Sequence, residues 1–235
     1  SGQLHAEARH AHDRSVDLAR AVESGQIECH FQPLVRLSTG RTAGFEALAR
    51  WSRPAEGSVS PAAFIALAEE RGRVGRTGEQ VMRRECAAAA TWKGEGSEAF
   101  VAVNVSPCQL ADPEFPEQVR RILLETGLPA GRLELELTES ALTRDIDRVS
   151  RALSELRRLG VHLAIDDFGT GYSSLSLLTR LPFTRLKIDR SFVQASEASA
   201  DNEQVVRTII ALARHLNLEL TVEGLETPLQ ARRFL

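Results

Sequence analysis

Six short segments of the chain alternate polar and apolar residues with a period of two. In Leu133-Glu134-Leu135-Glu136-Leu137-Thr138 the leucines share one face of an extended strand, and Glu134, Glu136 and Thr138 share the other. Val101, Val103 and Val105 oppose Ala102 and Asn104 in the same way, and Val161, Leu163 and Ile165 oppose His162, Ala164 and Asp166. Leu186 and Ile188 oppose Lys187 and Asp189, while Leu218, Leu220 and Val222 oppose Glu219, Thr221 and Glu223. Phe45, Ala47, Ala49 and Trp51 oppose Glu46, Leu48 and Arg50. Each segment reads as a strand with one apolar and one polar face.

The residues between these strands set the connections. Segments 27–37 and 42–51 are joined by Ser38-Thr39-Gly40-Arg41, too short for a parallel crossover, so these two strands are antiparallel. From there the chain alternates, with strands over 100–105, 133–138, 161–166, 185–189 and 218–222. Helical patterns fall over 77–92, 114–126, 146–159, 174–180 and 202–215. Ser60-Pro61 supplies a capping hydroxyl and a first-turn proline for a further helix that stops at Gly72. An amphipathic, alanine-rich helix over 4–24 leads into the domain, which takes 25–235. Strand-helix alternation predicts an α/β fold with a mostly parallel sheet. At 235 residues the chain suits one (β/α)8 barrel, a fold of about 250 residues. Seven strands are one fewer than a closed barrel needs, and the chain stops in the helix after the seventh, so the last strand is expected to be missing.

In a barrel ringed by helices the apolar strand faces pack outward and the polar faces look to the axis. A sheet with one wet face would also alternate, but long helical crossovers cover both faces. Ionised groups inside must then be paired, because each left alone costs several kcal/mol. Gln32, Asn104, Glu136, Asp166, Lys187 and Glu223 fall at or near C-terminal strand ends, where barrel active sites assemble; Glu46 lies earlier on its strand. Asp166-Asp167 sits where an apolar strand meets Phe168-Gly169-Thr170-Gly171-Tyr172. Alone, the pair reads as a solvated turn; within the ring of acids it reads as part of a metal site. Glu46, Asn104, Glu136, Asp166, Asp167 and Glu223 are oxygen donors, a set suited to Mg²⁺ or Mn²⁺ rather than zinc, and their charge suits two ions sharing Asp166. His30 reads as structural. Lys187 either orients a water or bridges to Asp189 or Glu223.

A net charge of -3 and a pI near 6.1 argue against a binder of nucleic-acid polymers. Cys29, Cys86 and Cys108 have no metal-ligand spacing and cannot close a complete disulfide set, which suits a reducing cytoplasm. No apolar run approaches a membrane span, so this domain is expected to make no membrane contact. Ser1-Gly2 and a single methionine, Met82, suggest a piece of a longer protein.

Glu46-Ala47-Leu48 with Arg50-Trp51 resembles the signature of the EAL domains, bacterial phosphodiesterases specific for cyclic di-GMP. Further stretches carry the resemblance along nearly the whole chain: Phe31-Gln32-Pro33-Leu34-Val35, Asn104-Val105-Ser106-Pro107, Glu136-Leu137-Thr138-Glu139, Asp166-Asp167-Phe168-Gly169-Thr170-Gly171-Tyr172-Ser173-Ser174-Leu175, Leu186-Lys187-Ile188-Asp189 and Val222-Glu223-Gly224. The resemblance implies a TIM-like barrel with an antiparallel first strand, and divalent-metal hydrolysis of cyclic di-GMP to linear pGpG. By position it makes Glu46, Asn104, Glu136 and Asp166 ligands of one ion, Asp166 bridging and Asp167 serving the second, with Glu223 a further acidic member. It makes Lys187 the holder of the nucleophilic water, Gln32, Leu48 and Arg50 substrate contacts, and Glu139 a brace for the loop after Asp167. It also implies a homodimer. Leu4-His5-Ala6-Glu7-Ala8 faintly resembles the tail of a diguanylate cyclase domain, so an upstream cyclase-like or sensory domain is expected. Members continue into a glycine-cysteine-aspartate segment and a downstream glutamine that this sequence does not reach. Two other functions stay in view: a noncatalytic cyclic di-GMP receptor signalling through a protein partner, and a magnesium barrel acting on an unrelated carboxylate or phosphate.

Overall fold

Gly40, at φ 69°, turns the chain tightly enough for its amide to donate to Arg36 O at 2.8 Å, and the strands on either side fold back on each other. These are β1 (Ile27–Arg36) and β2 (Arg41–Arg53), antiparallel from Ile27 opposite Trp51 to Arg36 opposite Arg41, as the four-residue connection predicts. The structure is a computed structural model that describes residues 26–53, 57–59, 74–94, 97–142, 145–169, 175–198 and 200–234. The helices expected over 4–24 and 60–72 lie outside the described residues.

A short strand that the sequence pattern does not announce, β3 (Gly57–Val59), pairs antiparallel with the end of β2. The remaining strands are parallel: β4 (Phe100–Val105), β5 (Leu133–Thr138), β6 (His162–Asp166), β7 (Arg185–Ile188) and β8 (Glu219–Val222). They curl in the order β1-β2-β4-β5-β6-β7-β8. Among the described residues β1 and β8 remain the two edges of this seven-strand path, in keeping with the expected missing strand.

Helices fill the crossovers. They are α1 (Val74–Ala90), α2 (Pro107–Leu110), α3 (Phe115–Thr126), α4 (Ile146–Arg158), α5 (Leu175–Arg180), α6 (Arg190–Ala198), α7 (Ala200–His215) and α8 (Pro228–Arg233). Local chemistry sets their ends. Ser106 and Gln109 form a reciprocal capping box that starts α2 two residues after Asn104. Gly127, left-handed at φ 71°, closes α3. The outward residues of the central strands, among them Val101, Val103, Leu133, Leu135, Leu163 and Leu186, join Phe115, Val119, Leu153 and Leu156 of the helices in one core. Each fully buried side chain of this kind contributes about 1.5–3 kcal/mol. The apolar strand faces thus pack outward, as the alternation requires.

One buried acid breaks that pattern. Glu85 of α1 is 3% exposed, and its Oε2 has no hydrogen-bond partner. Burial pushes its carboxyl from an ordinary value of 4.5 up to about 8. It also faces two thiols: Cys29 on β1 and Cys86 are each pushed up to about 12, first by burial and then by Glu85, so neither is a nucleophile at neutral pH. Below pH about 4.5 folded and unfolded chains both hold the Glu85 proton. Between about 4.5 and 8 only the unfolded chain releases it, so this residue's contribution to stability falls as pH rises and levels off above 8. Glu85→Met is expected to flatten that decline and stabilise the domain at pH 8 by about 1–3 kcal/mol, read by urea unfolding at pH 5 and pH 8. A variant equally or less stable at pH 8 would contradict the reading.

Candidate active site

Two layers of charge fill the concave side of the sheet. The lower layer belongs to Arg185, on the first residue of β7. Its Nε donates to Glu134 Oε2 at 2.7 Å, and its Nη2 lies 2.6 Å from Glu219 Oε2. The same guanidinium sits 4.8 Å from the Phe100 ring centre, and Gly44 leaves that ring its space: a Cβ there would lie 2.6 Å from Phe100 Cδ1. One pleat higher on the same strands stands the second layer, because period-two alternation returns Glu136 and Lys187 to the face of Glu134 and Arg185.

Lys187 is the centre of this upper layer and is 1% exposed. Its Nζ lies 2.8 Å from Glu136 Oε2 and 2.8 Å from Glu223 Oε1, 3.2 Å from Asp166 Oδ1 and 3.7 Å from Glu46 Oε2. Asn104 Nδ2 donates to Glu46 Oε1 at 3.2 Å, which joins β4 to the group. Asn104 and Glu136 are direct neighbours in the β4–β5 register, as are Gln32 and Glu46 between β1 and β2. Six of the expected residues are therefore brought together from β2, β4, β5, β6, β7 and the end of β8. Of the two partners that the spacing left open, Glu223 is the one that Lys187 bridges to.

Four carboxylates share one ammonium, which leaves three formal negative charges over. Burial works against the charge on Lys187, but Glu136, Asp166, Glu46 and Glu223 outweigh it and hold the amine above its ordinary value. For Glu136 the balance is reversed. Burial pushes its carboxyl up to about 8, Lys187 opposes, and the charges of Glu46 and Asp166 add to the rise. Glu223 is raised for the same first cause, burial.

Asp167 opens the loop above the cluster. It stands in the left-handed region at φ 54°, a strained place for a residue other than glycine, and its amide donates back to Asp166 Oδ1 at 2.9 Å. That turn lets successive carboxylates approach one site although strand residues alternate in direction. Burial raises the Asp167 carboxyl, and Asp166 and then Asp189 add to it. Asp189, on the Lys187 face of the strand, is thus a further acid at this end of the barrel. Its period-two spacing from Lys187 was the signal in the sequence.

The other expected residues take peripheral places. Gln32 is exposed on the edge strand. Leu48 and Arg50 are half-buried on the face of Glu46, with Arg50 roughly 13 Å further along β2 toward the open end. Glu139, 8% exposed, begins the 3₁₀ turn Glu139–Leu142 just after β5. Residues 170–174, the loop it is expected to brace, lie outside the described residues. His30 is exposed beside Glu28, 3.5 Å away, and takes no part in the Lys187 group. A separate groove of about 460 Å³, with Arg207, Arg214 and Arg233 among its lining residues, shares no residue with the cluster.

Among the described residues no three His, Cys, Asp or Glu side chains are already arranged as a metal-binding group. The oxygens turn to Lys187 instead. The donor chemistry nevertheless fits a hard divalent cation: all donors are oxygen, the charge is in surplus, and the buried Glu136 Oε1 has no hydrogen-bond partner.

The family model described as the EAL domain matches residues 15–235. The chain belongs to the EAL domain family. Among curated EAL relatives, the cyclic di-GMP phosphodiesterase NbdA of Pseudomonas aeruginosa is 43% identical over 91% of this chain and 28% of its own length. The bifunctional diguanylate cyclase/cyclic di-GMP phosphodiesterase MucR of the same organism is 41% identical over 91% of this chain and 31% of its own. This EAL domain thus spans about a quarter to a third of the length of the curated relatives it matches. A solved structure described as the PaMucR phosphodiesterase in complex with c-di-GMP superposes with a TM-score of 0.87, at 41% identity, over 93% of this chain and 89% of that one. The TIM-like fold with its antiparallel first strand is therefore that of the family.

Proposed function

We propose that this EAL domain is a metal-dependent phosphodiesterase that hydrolyses one phosphodiester of cyclic di-GMP to linear pGpG. The observation that carries the reading is the upper layer: Glu46, Asn104, Glu136, Asp166 and Glu223 gather around Lys187 with more negative charge than one ammonium balances. The kinship with NbdA and MucR supports cyclic di-GMP as the substrate.

Glu46, Asn104, Glu136 and Asp166 would hold one Mg²⁺ or Mn²⁺, and Asp166 and Asp167 a second, with Glu223 beside them. Bound there, the ions would supply a water of lowered pKa and charge stabilisation at the phosphate. Lys187 would hold the attacking water through an N–H donor released from a carboxylate once that carboxylate turns to an ion, the remaining donors keeping the ammonium oriented. Gln32, Leu48 and Arg50 would line the approach above, Gln32 and Arg50 toward phosphate. Burial of Glu136 and Lys187 keeps bulk water from screening these interactions. Water adds across one phosphorus–oxygen bond, the 3′ oxygen leaves with a proton, and the product keeps a 5′ phosphate.

Incubating the domain with cyclic di-GMP and Mg²⁺ or Mn²⁺, and resolving products by chromatography, tests this. Conversion to the linear dinucleotide is expected, and Glu46→Ala is expected to lower the rate at least about hundredfold. Tight binding without product would replace the enzyme by a receptor that signals through a protein partner, and no binding would leave an unrelated anionic substrate. We infer also that the domain works as a homodimer in the cytoplasm, downstream of a cyclase-like or sensory domain. A monomer in light scattering would refute the dimer. Among the described residues no helix is long and apolar enough to cross a membrane.

A further inference from the structure

The two acidic arms of the site, Asp166-Asp167 after β6 and Glu223 after β8, meet at Lys187. A second connection runs behind them. The five residues that lead from β7 into α6, Ile188 to Phe192, lie against both arms. Ile188 O accepts the amide of Glu223 at 3.0 Å. Next to Glu223, Gly224 at φ 71° is pressed on Arg190, so that a Cβ on Gly224 would lie 2.5 Å from Arg190 Cβ and 3.2 Å from its Cα. On the other arm, Gly169 at φ 94° is covered by Phe192, whose Cζ would lie 2.6 Å from a Cβ placed there. Both glycines thus combine a left-handed backbone with the absence of a side chain where this segment approaches. Asp189 Oδ1 accepts from Ser191 N at 2.9 Å, and Asp189 O accepts from Phe192 N at 3.1 Å, so the segment is a closed turn and not a slack linker. Phe192 is half-buried and also packs on the main core, which ties the turn to the body of the barrel.

The geometry points to Phe192 as a positioning residue: its ring, held by the closed turn 188–192, fixes the chain after Asp167 at Gly169, while the same turn fixes Glu223 from behind. The spacing between the Asp166-Asp167 arm and the Glu223 arm is therefore set by one short segment that contacts both. No charged group of Phe192 enters the chemistry. Its removal acts through the backbone of its neighbours, and the arm at Gly169 feels it more than the arm at Gly224, which Arg190 continues to hold.

The test is hydrogen exchange on Phe192→Ala and Phe192→Leu. In the alanine variant the amides of 166–169 are expected to exchange at least about tenfold faster, with a smaller rise at 223–224 and none over 100–105 of β4. The leucine variant, which keeps part of the apolar bulk, should follow in the same direction with a smaller rise. Where Phe192→Ala does not fold, the leucine result decides. Unchanged exchange at 166–169 in a folded variant overturns the assignment, as does an equal rise in β4, which marks general loosening.

Direct Mn²⁺ binding, followed by the loss of the free-ion resonance, is the second readout, and this part rests on the proposed metal site. About tenfold weaker binding in Phe192→Ala is expected, with a smaller loss in Phe192→Leu. The two readings fail separately. A parent domain that neither binds Mn²⁺ nor hydrolyses cyclic di-GMP removes the enzyme reading, while the exchange experiment still decides the role of Phe192.

Discussion

Lys187→Met is expected to slow turnover severely and, without divalent metal, to destabilise the domain strongly. Lys187 is the cation that draws four carboxylates together inside the barrel, at 2.8 to 3.7 Å. Methionine nearly preserves the volume and removes the charge, so the loss is electrostatic more than steric. Removing one partner from a buried ion pair costs about 3–5 kcal/mol, because the remaining charge is left without compensation. Part of that cost is met by proton uptake, since Glu136 is already pushed up to about 8 and would rise further without Lys187. The stability deficit is therefore expected to shrink as pH falls and the buried carboxylates take up protons, and to be smallest below the unfolded carboxylate value, where both states are protonated. Millimolar Mg²⁺ should also restore part of the stability but none of the activity, because it replaces the charge and not the amine proposed to hold the water. The expected loss in kcat is about 10²- to 10⁴-fold. A variant that stays as stable as the parent at pH 8 without metal would show that Lys187 is not the electrostatic keystone of the site.

Glu136→Gln should show the opposite pairing of effects: activity lost, stability gained. The Glu136 carboxyl is 1% exposed, and its folded value of about 8 lies above the ordinary 4.5. The sign follows as for Glu85. Below about pH 4.5 the residue is protonated whether folded or not, and between 4.5 and 8 the unfolded chain alone ionises, so the contribution of Glu136 to stability declines across that window. Glutamine keeps an oxygen for Lys187 and carries no charge, so it avoids the decline. At pH 8, without metal, the variant is expected to be about 1–2 kcal/mol more stable than the parent in urea unfolding. Turnover should fall about 10²- to 10³-fold, since an amide is a far poorer partner for a divalent ion and for Lys187. Lower stability at pH 8 would mean that the Glu136–Lys187 attraction outweighs burial.

The two expected outcomes amount to a site in which stability is given up for the proposed chemistry. The acids crowd beyond what Lys187 can balance, and the surplus is what a divalent ion would use.

Much of this was legible in the alternation of single residues. Leu133-Glu134-Leu135-Glu136 announces an inward acid at each second position, and the structure gives each its own cation, Arg185 below and Lys187 above. The four residues between β1 and β2 dictated the antiparallel pair. Other features left no trace in periodicity. Glu85 sits in a polar, helix-forming stretch where a glutamate ordinarily faces water, and only tertiary packing buries it. β3 is three residues long, too short for alternation to register. α6 is rich in serine and alanine, with Phe192 and Val193 as its adjacent large apolar residues, so its pattern does not repeat over a turn. The oxygen set at the site was readable, but its arrangement on Lys187 was not, because spacing fixes a side chain's face and not its partner.

The most direct test of the central claim is a single-turnover experiment, with the domain in excess over cyclic di-GMP and products resolved by chromatography. Complete conversion to linear pGpG is predicted with Mg²⁺ or Mn²⁺ and none with chelator, the Lys187→Met variant converting it about 10²- to 10⁴-fold more slowly. Cyclic di-GMP recovered unchanged from a stoichiometric complex with the metal-loaded parent would contradict the account.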